Sequence, residues 1–422
     1  MRKTVQLAVL AGTLLTAPFA LTAQEPTHPT FTKLGEIDIA AVGITPTDIA
    51  FLDGHAYVSC FAANRQIVKI SNVLSTTPTA NTFAVTSGPG STPAGVEGGP
   101  ITWAGGRGLT SIQVHPDGRV LAAGDPGSGP LAVVEYNPDG TLLRIITIPT
   151  PFVKPDLSEV AFQRLNVARY FGDNILIGGI FGQLLQSNAE MTALTDPYVV
   201  TGHPNFTRGI AFVGDNIFVR QTSNGPDRIH RYTGGTFGSL AGFEYEGLEF
   251  AEIGPSTFNT SSGIQPFSYA GDTPFDYLVA NKTSAPIAIQ FYDPETDFFS
   301  LPAAPLFIVD DVTLGLGQLL ALGFATTDAG QYMLVGRTAG ATLTNYIEVW
   351  GVDGAQLVEL PPEGTLGDIN NDGEINVADV TELGNLLAAG TPPPNEIGDV
   401  NLDEVVNDAD VAALAELIVD SE

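Results

Sequence analysis

The sequence predicts a mainly β chain that ends in a small helical, metal-binding module. Three observations carry that expectation. Between about Phe31 and Leu360 no segment sustains helical periodicity, and short runs of Val, Ile, Phe, Tyr and Thr are punctuated by Gly, Pro, Asn and Asp. Six hairpin-like segments within that region resemble one another. Beyond them the charge changes abruptly: residues 361–422 hold 15 acidic and no basic residues, half of the formal net charge of −30.

The N-terminus reads as a leader. Arg2 and Lys3 give a positive start, an apolar stretch runs from Val5 to Ala20, and Ala23 fits the last position before cleavage. That is the layout of a secretory signal peptide over residues 1–23. An uncleaved anchor is the competing reading, against which stands the shortness of the stretch for a bilayer span. No other segment is long and apolar enough to cross a membrane, so the expected mature chain is exported, either secreted or held at the cell surface. Cys60 is the only cysteine, and FLDGHAYVSCF places it in a strand, where a buried inert thiol is expected rather than a nucleophile. Stability outside the cell must then come from core burial and a source other than disulfides. The balance of 47 Asp and Glu against 17 Lys and Arg argues against nucleic acid or anionic lipid as a partner.

The body is assigned to residues 24–360. Its six similar segments are DIAFLDGHAYVS, SIQVHPDGRVLAA, VARYFGDNILIG, GIAFVGDNIFVR, FSYAGDTPFDYLVA and GFATTDAGQYMLVG. Their turn aspartates are Asp53, Asp117, Asp173, Asp215, Asp272 and Asp328, a mean spacing of about 55 residues. A second strand pair follows several of them, as in AVVEYNPDGTLLRIITI and IEVWGVDGAQLVEL. Four strands per unit at this period predict a six-bladed β-propeller, because one blade cannot bury both of its faces alone. Phe31–Ile39 precedes the first hairpin and is expected to complete the last blade. A pair of β-sandwiches or a β-helix is the competing architecture. In pattern, the body resembles the NHL-like and strictosidine-synthase-like propellers.

Chemistry in the body is thinly marked. Arg107 and Arg208, in GRGLTSI and TRGIAFV, each precede a glycine that opens an innermost strand. Near one mouth of a central channel they are candidates for binding an anionic ligand such as a carboxylate sugar. The competing reading is that each satisfies loop carbonyls or an acidic neighbour. His115 reads as a turn residue, His55 follows another turn, and His203 and His230 lack metal-ligand spacing. No G-x-S-x-G elbow, H-E-x-x-H pair or phosphate loop occurs. No catalytic residue is assigned, and whether the chain is an enzyme stays open.

Residues 361–366, with Pro361, Pro362 and Gly364, read as a linker, and residues 367–422 as a second domain. Asp368-Ile-Asn-Asn-Asp-Gly-Glu-Ile-Asn-Val-Ala-Asp379 fits a twelve-residue calcium loop. Asp368, Asn370 and Asp372 stand at its first, third and fifth positions, and Gly373 allows the turn that aims the Glu374 carbonyl at the ion. Asn376 is placed to act through a water, and Asp379 closes the loop. The pattern recurs at Asp399, Asn401, Asp403, the Val405 carbonyl and Asp410, with Val406 as the apolar counterpart of Ile375. Here Glu404 replaces the turn glycine, so the second of two Ca²⁺ sites is expected to be the weaker.

Each loop ends in Asp where an ordinary EF-hand has Glu, and Gly367 and Gly398 precede them in place of an entering helix. Val380, Leu383, Leu386 and Leu387 follow the first loop, and Val411, Leu414, Leu417 and Ile418 the second, each set spaced to share one helix face. Over about 55 residues this resembles a type I dockerin. The resemblance implies a fold built around two calcium ions and docking onto a cohesin-like module, which joins an enzyme or binding domain to a scaffold. Where cellulosomal dockerins often carry Ser-Thr late in the loops and Lys-Arg in the helices, this chain has Val377-Ala378, Asp408-Ala409, Gly384-Asn385 and Ala415-Glu416. The expected function is a propeller binding domain, with a carbohydrate as one possible ligand, docked to a partner or an extracellular assembly. The alternative is a secreted carbohydrate-active hydrolase or lyase acting at the channel.

Overall fold

The computed structural model describes residues 28–61, 66–85, 108–124, 131–148, 152–153, 159–160, 165–179, 183–188, 194–201, 206–222, 228–249, 263–271, 274–282, 288–295, 305–310, 318–338, 343–358, 366–370, 374–393, 395–401, 403 and 405–421. The leader, the 361–365 stretch of the linker, Arg107, His203, Asp272, Asp372, Gly373 and Glu404 lie outside them.

Turn chemistry sets the hairpins. Asp53 and Gly54 both adopt positive φ, 46° and 77°, as a two-residue turn between the paired Leu52 and His55 demands. Strand β1 is Phe31–Asp38. The first blade is β2 to β5: Pro46–Leu52, His55–Cys60, Gln66–Ser71 and Thr79–Val85. The second is β6 to β9: Leu109–Val114, Val120–Gly124, Leu131–Tyr136 and Leu142–Ile148. A two-stranded ribbon, β10 and β11 (Phe152–Val153, Glu159–Val160), precedes the third blade. That blade is β12 to β15: Leu165–Phe171, Asn174–Gly179, Gln183–Ser187 and Leu194–Thr201. The fourth is β16 to β19: Phe206–Val213, Asn216–Thr222, Arg228–Thr233 and Glu244–Glu249. The fifth is β20 to β23: Ile264–Tyr269, Phe275–Lys282, Ala288–Tyr292 and Phe307–Asp310. The sixth takes β24 to β26 (Gln318–Thr327, Gly330–Thr338, Asn345–Val352) and is completed by β1, in the order β1-β26-β25-β24.

The leading strands of the six blades, β2, β6, β12, β16, β20 and β24, touch in a closed ring. The six similar hairpins of the sequence are therefore the two innermost strands of each blade, and the fold is a six-bladed propeller. Its core lies between blades: Ile49, Val58, Leu334 and Ile347 pack together across the join of blades six and one, and Phe267, Tyr277, Phe291 and Leu322 across that of five and six. Strands covered on both sides are buried along nearly their whole length, as in β25 and β26. Closure by β1 is reinforced by a charged cluster, in which Glu348, 1% exposed, accepts from Lys33 of β1 at 2.8 Å and from Arg337 at 2.9 Å.

A bulge repeats in the innermost strand of five blades. The register slips by one residue at Thr47, Thr110, Asn166, Arg208 and Leu320, whereas β20 pairs without interruption. Several of these extra residues stitch one blade to the next. The Thr47 hydroxyl lies 3.0 Å from the Leu109 carbonyl, Thr110 Oγ1 donates to the Asn166 carbonyl, and Asn166 Nδ2 donates to that of Thr207 at 3.0 Å. Replacing Thr47 with Val keeps the shape and removes the hydroxyl, which also bonds Ser59. The expected cost is about 1–3 kcal/mol of stability, read by urea denaturation.

At the C-terminus, α1 (Val377–Ala388) and α2 (Asp408–Ser421) pack against one another. Leu383 and Leu414 are fully buried between the elements of the module, as their spacing predicts, but Leu417 is 45% exposed. Residues 359–365, which lead into the first loop, are outside the described residues; Asn395–Gly398 forms a single helical turn before the second loop, where none was expected.

Candidate functional site

Side chains of the innermost strands meet at the propeller axis. Asp48 of β2 is fully buried, and its Oδ2 accepts from Arg169 of β12 at 2.7 Å and from the Ile112 N–H of β6 at 3.0 Å. Its Oδ1 accepts from Gln265 of β20 at 2.9 Å. Arg169 also donates to the Ile210 carbonyl of β16 at 3.3 Å. One ion pair thus ties the innermost strands of blades one to five, which is possible only for side chains that meet across the axis. Burial pushes the Asp48 carboxyl above its ordinary pKa, and the Arg169 guanidinium pulls it back down. The sequence gives no local hint of this pair, since its members lie 121 residues apart.

Arg208 is 3% exposed and donates to Asn166 Oδ1 at 3.0 Å, a bond from blade four to blade three. It occupies a bulge position. Thr110 takes the corresponding position in blade two, and Arg107 lies outside the described residues. His115 sits in its turn, 2.8 Å from Asp117. His230 is buried between Gln221 at 2.6 Å and Tyr245 at 3.1 Å, and burial holds its pKa down to about 4. Cys60 is fully buried, and burial pushes its thiol up to about 12, as expected of an inert cysteine.

The C-terminal loops are built alike. Asp379 and Asp410, both fully buried, close them. Asp379 accepts the Asn370 N–H at 3.0 Å and the Asn376 N–H at 2.9 Å; Asp410 accepts those of Asn401 at 3.1 Å and Asn407 at 2.8 Å. The same two bonds therefore fix the same carboxylate in each repeat. Asp368 and Asp399 are buried at the loop starts, 2% and 6% exposed. In the second loop Asp399, Asp403 and Asp410 each bring a carboxylate oxygen within 4.8 Å of the others. Three hard anionic oxygens that close are a donor set suited to a divalent cation such as calcium.

Asn376 and Asn407 hold matching places at the ends of the two loops. Each caps the helix that follows: Asn376 Oδ1 accepts the Ala378 N–H, and Asn407 Oδ1 the Ala409 N–H, both at 2.8 Å. Their amide groups donate to the seventh-position carbonyls, Glu374 at 3.4 Å and Val405 at 2.9 Å. Ile375 and Val406 each pack on the glycine that precedes their own loop: a Cβ at Gly367 would lie 3.5 Å from Ile375 Cγ2, and one at Gly398 2.9 Å from Val406 Cγ1. The Gly367 N–H also donates to the Ile397 carbonyl at 2.9 Å, linking the two repeats.

Fold and loops together define a protein of two parts, a six-bladed propeller and a small module with paired acidic loops. Residues 366–419 match the family described as the dockerin type I domain, and domains of that type bind calcium and dock onto cohesins. No curated protein matches the chain. Among solved structures, the WD40 β-propeller domain of Doa1 is similar at 9% identity and a TM-score of 0.43, covering 77% of this chain and 97% of that one. A chain of the mitotic checkpoint complex is similar at 13% identity and 0.41, covering 81% and 89%. Likenesses this distant have no bearing on function or on the type of propeller. No helix among the described residues is long and apolar enough to cross a membrane.

Proposed function

We propose that the chain is an extracellular docking protein, in which the C-terminal module folds around two calcium ions and fastens the propeller, a binding domain, to a cohesin-bearing partner. The observation that carries this reading is the duplicated loop geometry within residues 366–419, with Asp379 and Asp410 held by matching bonds. Asp368, Asn370, Asp372, the Glu374 carbonyl and Asp379 would hold one ion. Asp399, Asn401, Asp403, the Val405 carbonyl and Asp410 would hold the other. Calcium neutralises carboxylates that otherwise repel, so metal binding and folding are coupled. The leader of residues 1–23 is the proposed route of export. The NHL-like character of the propeller rests on strand pattern alone.

Calorimetric titration of the full chain with a type I cohesin tests the docking reading. Binding in calcium that disappears in EDTA supports it, and no binding across a panel of cohesins overturns it. The same experiment with calcium alone bears on the unequal sites. Replacing Glu404 with Gly is expected to tighten the weaker site several-fold, since relief of about 1 kcal/mol of backbone strain outweighs one lost acidic charge. Asp399→Ala should abolish that weaker event and Asp368→Ala the stronger one.

A further inference from the structure

The last described segment before the linker closes the ring a second time. After β26 the chain turns through Asp353 and Gly354, both at positive φ, 49° and 85°. Asp353 is bonded to the N-terminal side of β1: its N–H donates to the Thr30 carbonyl at 2.9 Å, and its Oδ1 accepts the Thr30 N–H at 2.8 Å. Its Oδ2 accepts the Tyr269 hydroxyl of blade five at 2.5 Å. The segment then runs across to blade one. The Gln356 carbonyl accepts the Tyr332 hydroxyl at 2.7 Å, and Ala355 and Leu357 pack on the core shared by blades six and one. Finally the Val358 N–H donates to the Leu74 carbonyl at 2.8 Å, and its carbonyl accepts the Thr76 N–H at 3.1 Å, a parallel bridge with Ser75. Leu74–Thr76 lie between β4 and β5, so these bonds join the C-terminal end of the body to the first blade.

We propose that Asp353–Val358 is a second clasp of the ring, acting beside β1, and that the tail is mounted on the closing seam rather than on a free end. A ring built from consecutive blades is weakest where its ends meet, because there the N-terminal strand β1 is held to β26 only by hydrogen bonds and packing. Here β1 crosses it on the outer edge of blade six, and the clasp crosses it from blade six to blade one. Tension applied through a docked tail would reach the Val358–Leu74 and Val358–Thr76 bonds first, and these hold the seam shut.

The test uses the full chain. Val358→Pro removes the N–H that bonds Leu74 at a side chain that is 39% exposed, so little packing is lost. Val358→Ala keeps that N–H and serves as the control, while Leu357→Ala weakens the clasp through packing instead. Hydrogen exchange should become at least about 10-fold faster in β1 and in the Leu74–Thr76 turn for Val358→Pro and for Leu357→Ala, with a lower melting temperature of the propeller. The control should exchange as the parent does. Faster exchange confined to residues 355–358, with β1 and the melting temperature unchanged, would overturn the clasp.

Discussion

Removing calcium from the full chain is expected to unfold the C-terminal module while the propeller keeps its melting temperature. The module carries 15 acidic and no basic residues between 361 and 422, and its buried apolar core is small. Asp368, Asp379, Asp399 and Asp410 are all at most 6% exposed, so four carboxylates sit out of water. Without a cation the carboxylates within each loop repel one another, and a core of this size does not offset that. A ligand that binds only the folded form stabilises it by about 4 kcal/mol at a thousand times its dissociation constant. That stabilisation reaches only the cooperative unit that contains the site, and the propeller has its own core between blades. Scanning calorimetry should therefore show two transitions in calcium and one in EDTA, with loss of helical circular dichroism at low temperature. A propeller transition that also shifts with EDTA would place a calcium site in the body.

Replacing Arg169 with Leu is expected to cost about 3–5 kcal/mol, the largest loss from any single substitution in the propeller axis. The change strands Asp48, a fully buried carboxylate, with only Gln265 and backbone N–H groups as partners. It also removes the donors that reach the Ile210 and Ile112 carbonyls. The effect has a pH signature. Burial already raises the folded pKa of Asp48, so the folded state binds the proton more tightly than the unfolded one. Stability from that proton is fully present below the unfolded pKa and is lost as pH rises through the folded one. Without Arg169 the folded pKa rises further, so the variant should lose stability over a wider span of rising pH than the parent. Urea denaturation between about pH 5 and pH 8 reads both effects. Changing Asp48 and Arg169 together to Leu should recover most of the loss, because a buried pair is replaceable by apolar packing. A single variant as stable as the parent would show that the ion pair does not hold the axis.

Much of the site was legible because its chemistry is local. Asp379 and its bonding partners Asn370 and Asn376 lie within nine residues, and the repeat at Asn401, Asn407 and Asp410 copies the spacing. The capping role of Asn376 and Asn407 is also local, marked by an Asn three residues before an Asp that opens an apolar run. The exposure of Leu417 was not legible, since helical spacing gives the face but not how far the partner extends along it. The bonding of Arg208 to Asn166 of the neighbouring blade was likewise not legible, since the two lie 42 residues apart.

By itself the sequence determined the number of blades, the hairpins within them, the strand that closes the ring and the two acidic loops. Each of these is set by turn residues, strand runs or ligand spacing within a few tens of residues. Only the tertiary structure decided which side chains come together at the axis, where Asp48 meets Arg169 across 121 residues and Gln265 across 217. It alone showed that the bulge residues bind one blade to the next and that Asp353–Val358 returns to Leu74. The physical reason is that a propeller buries the faces between blades and along its axis. Partners there are chosen by the closing of the ring, and no spacing along the chain encodes that.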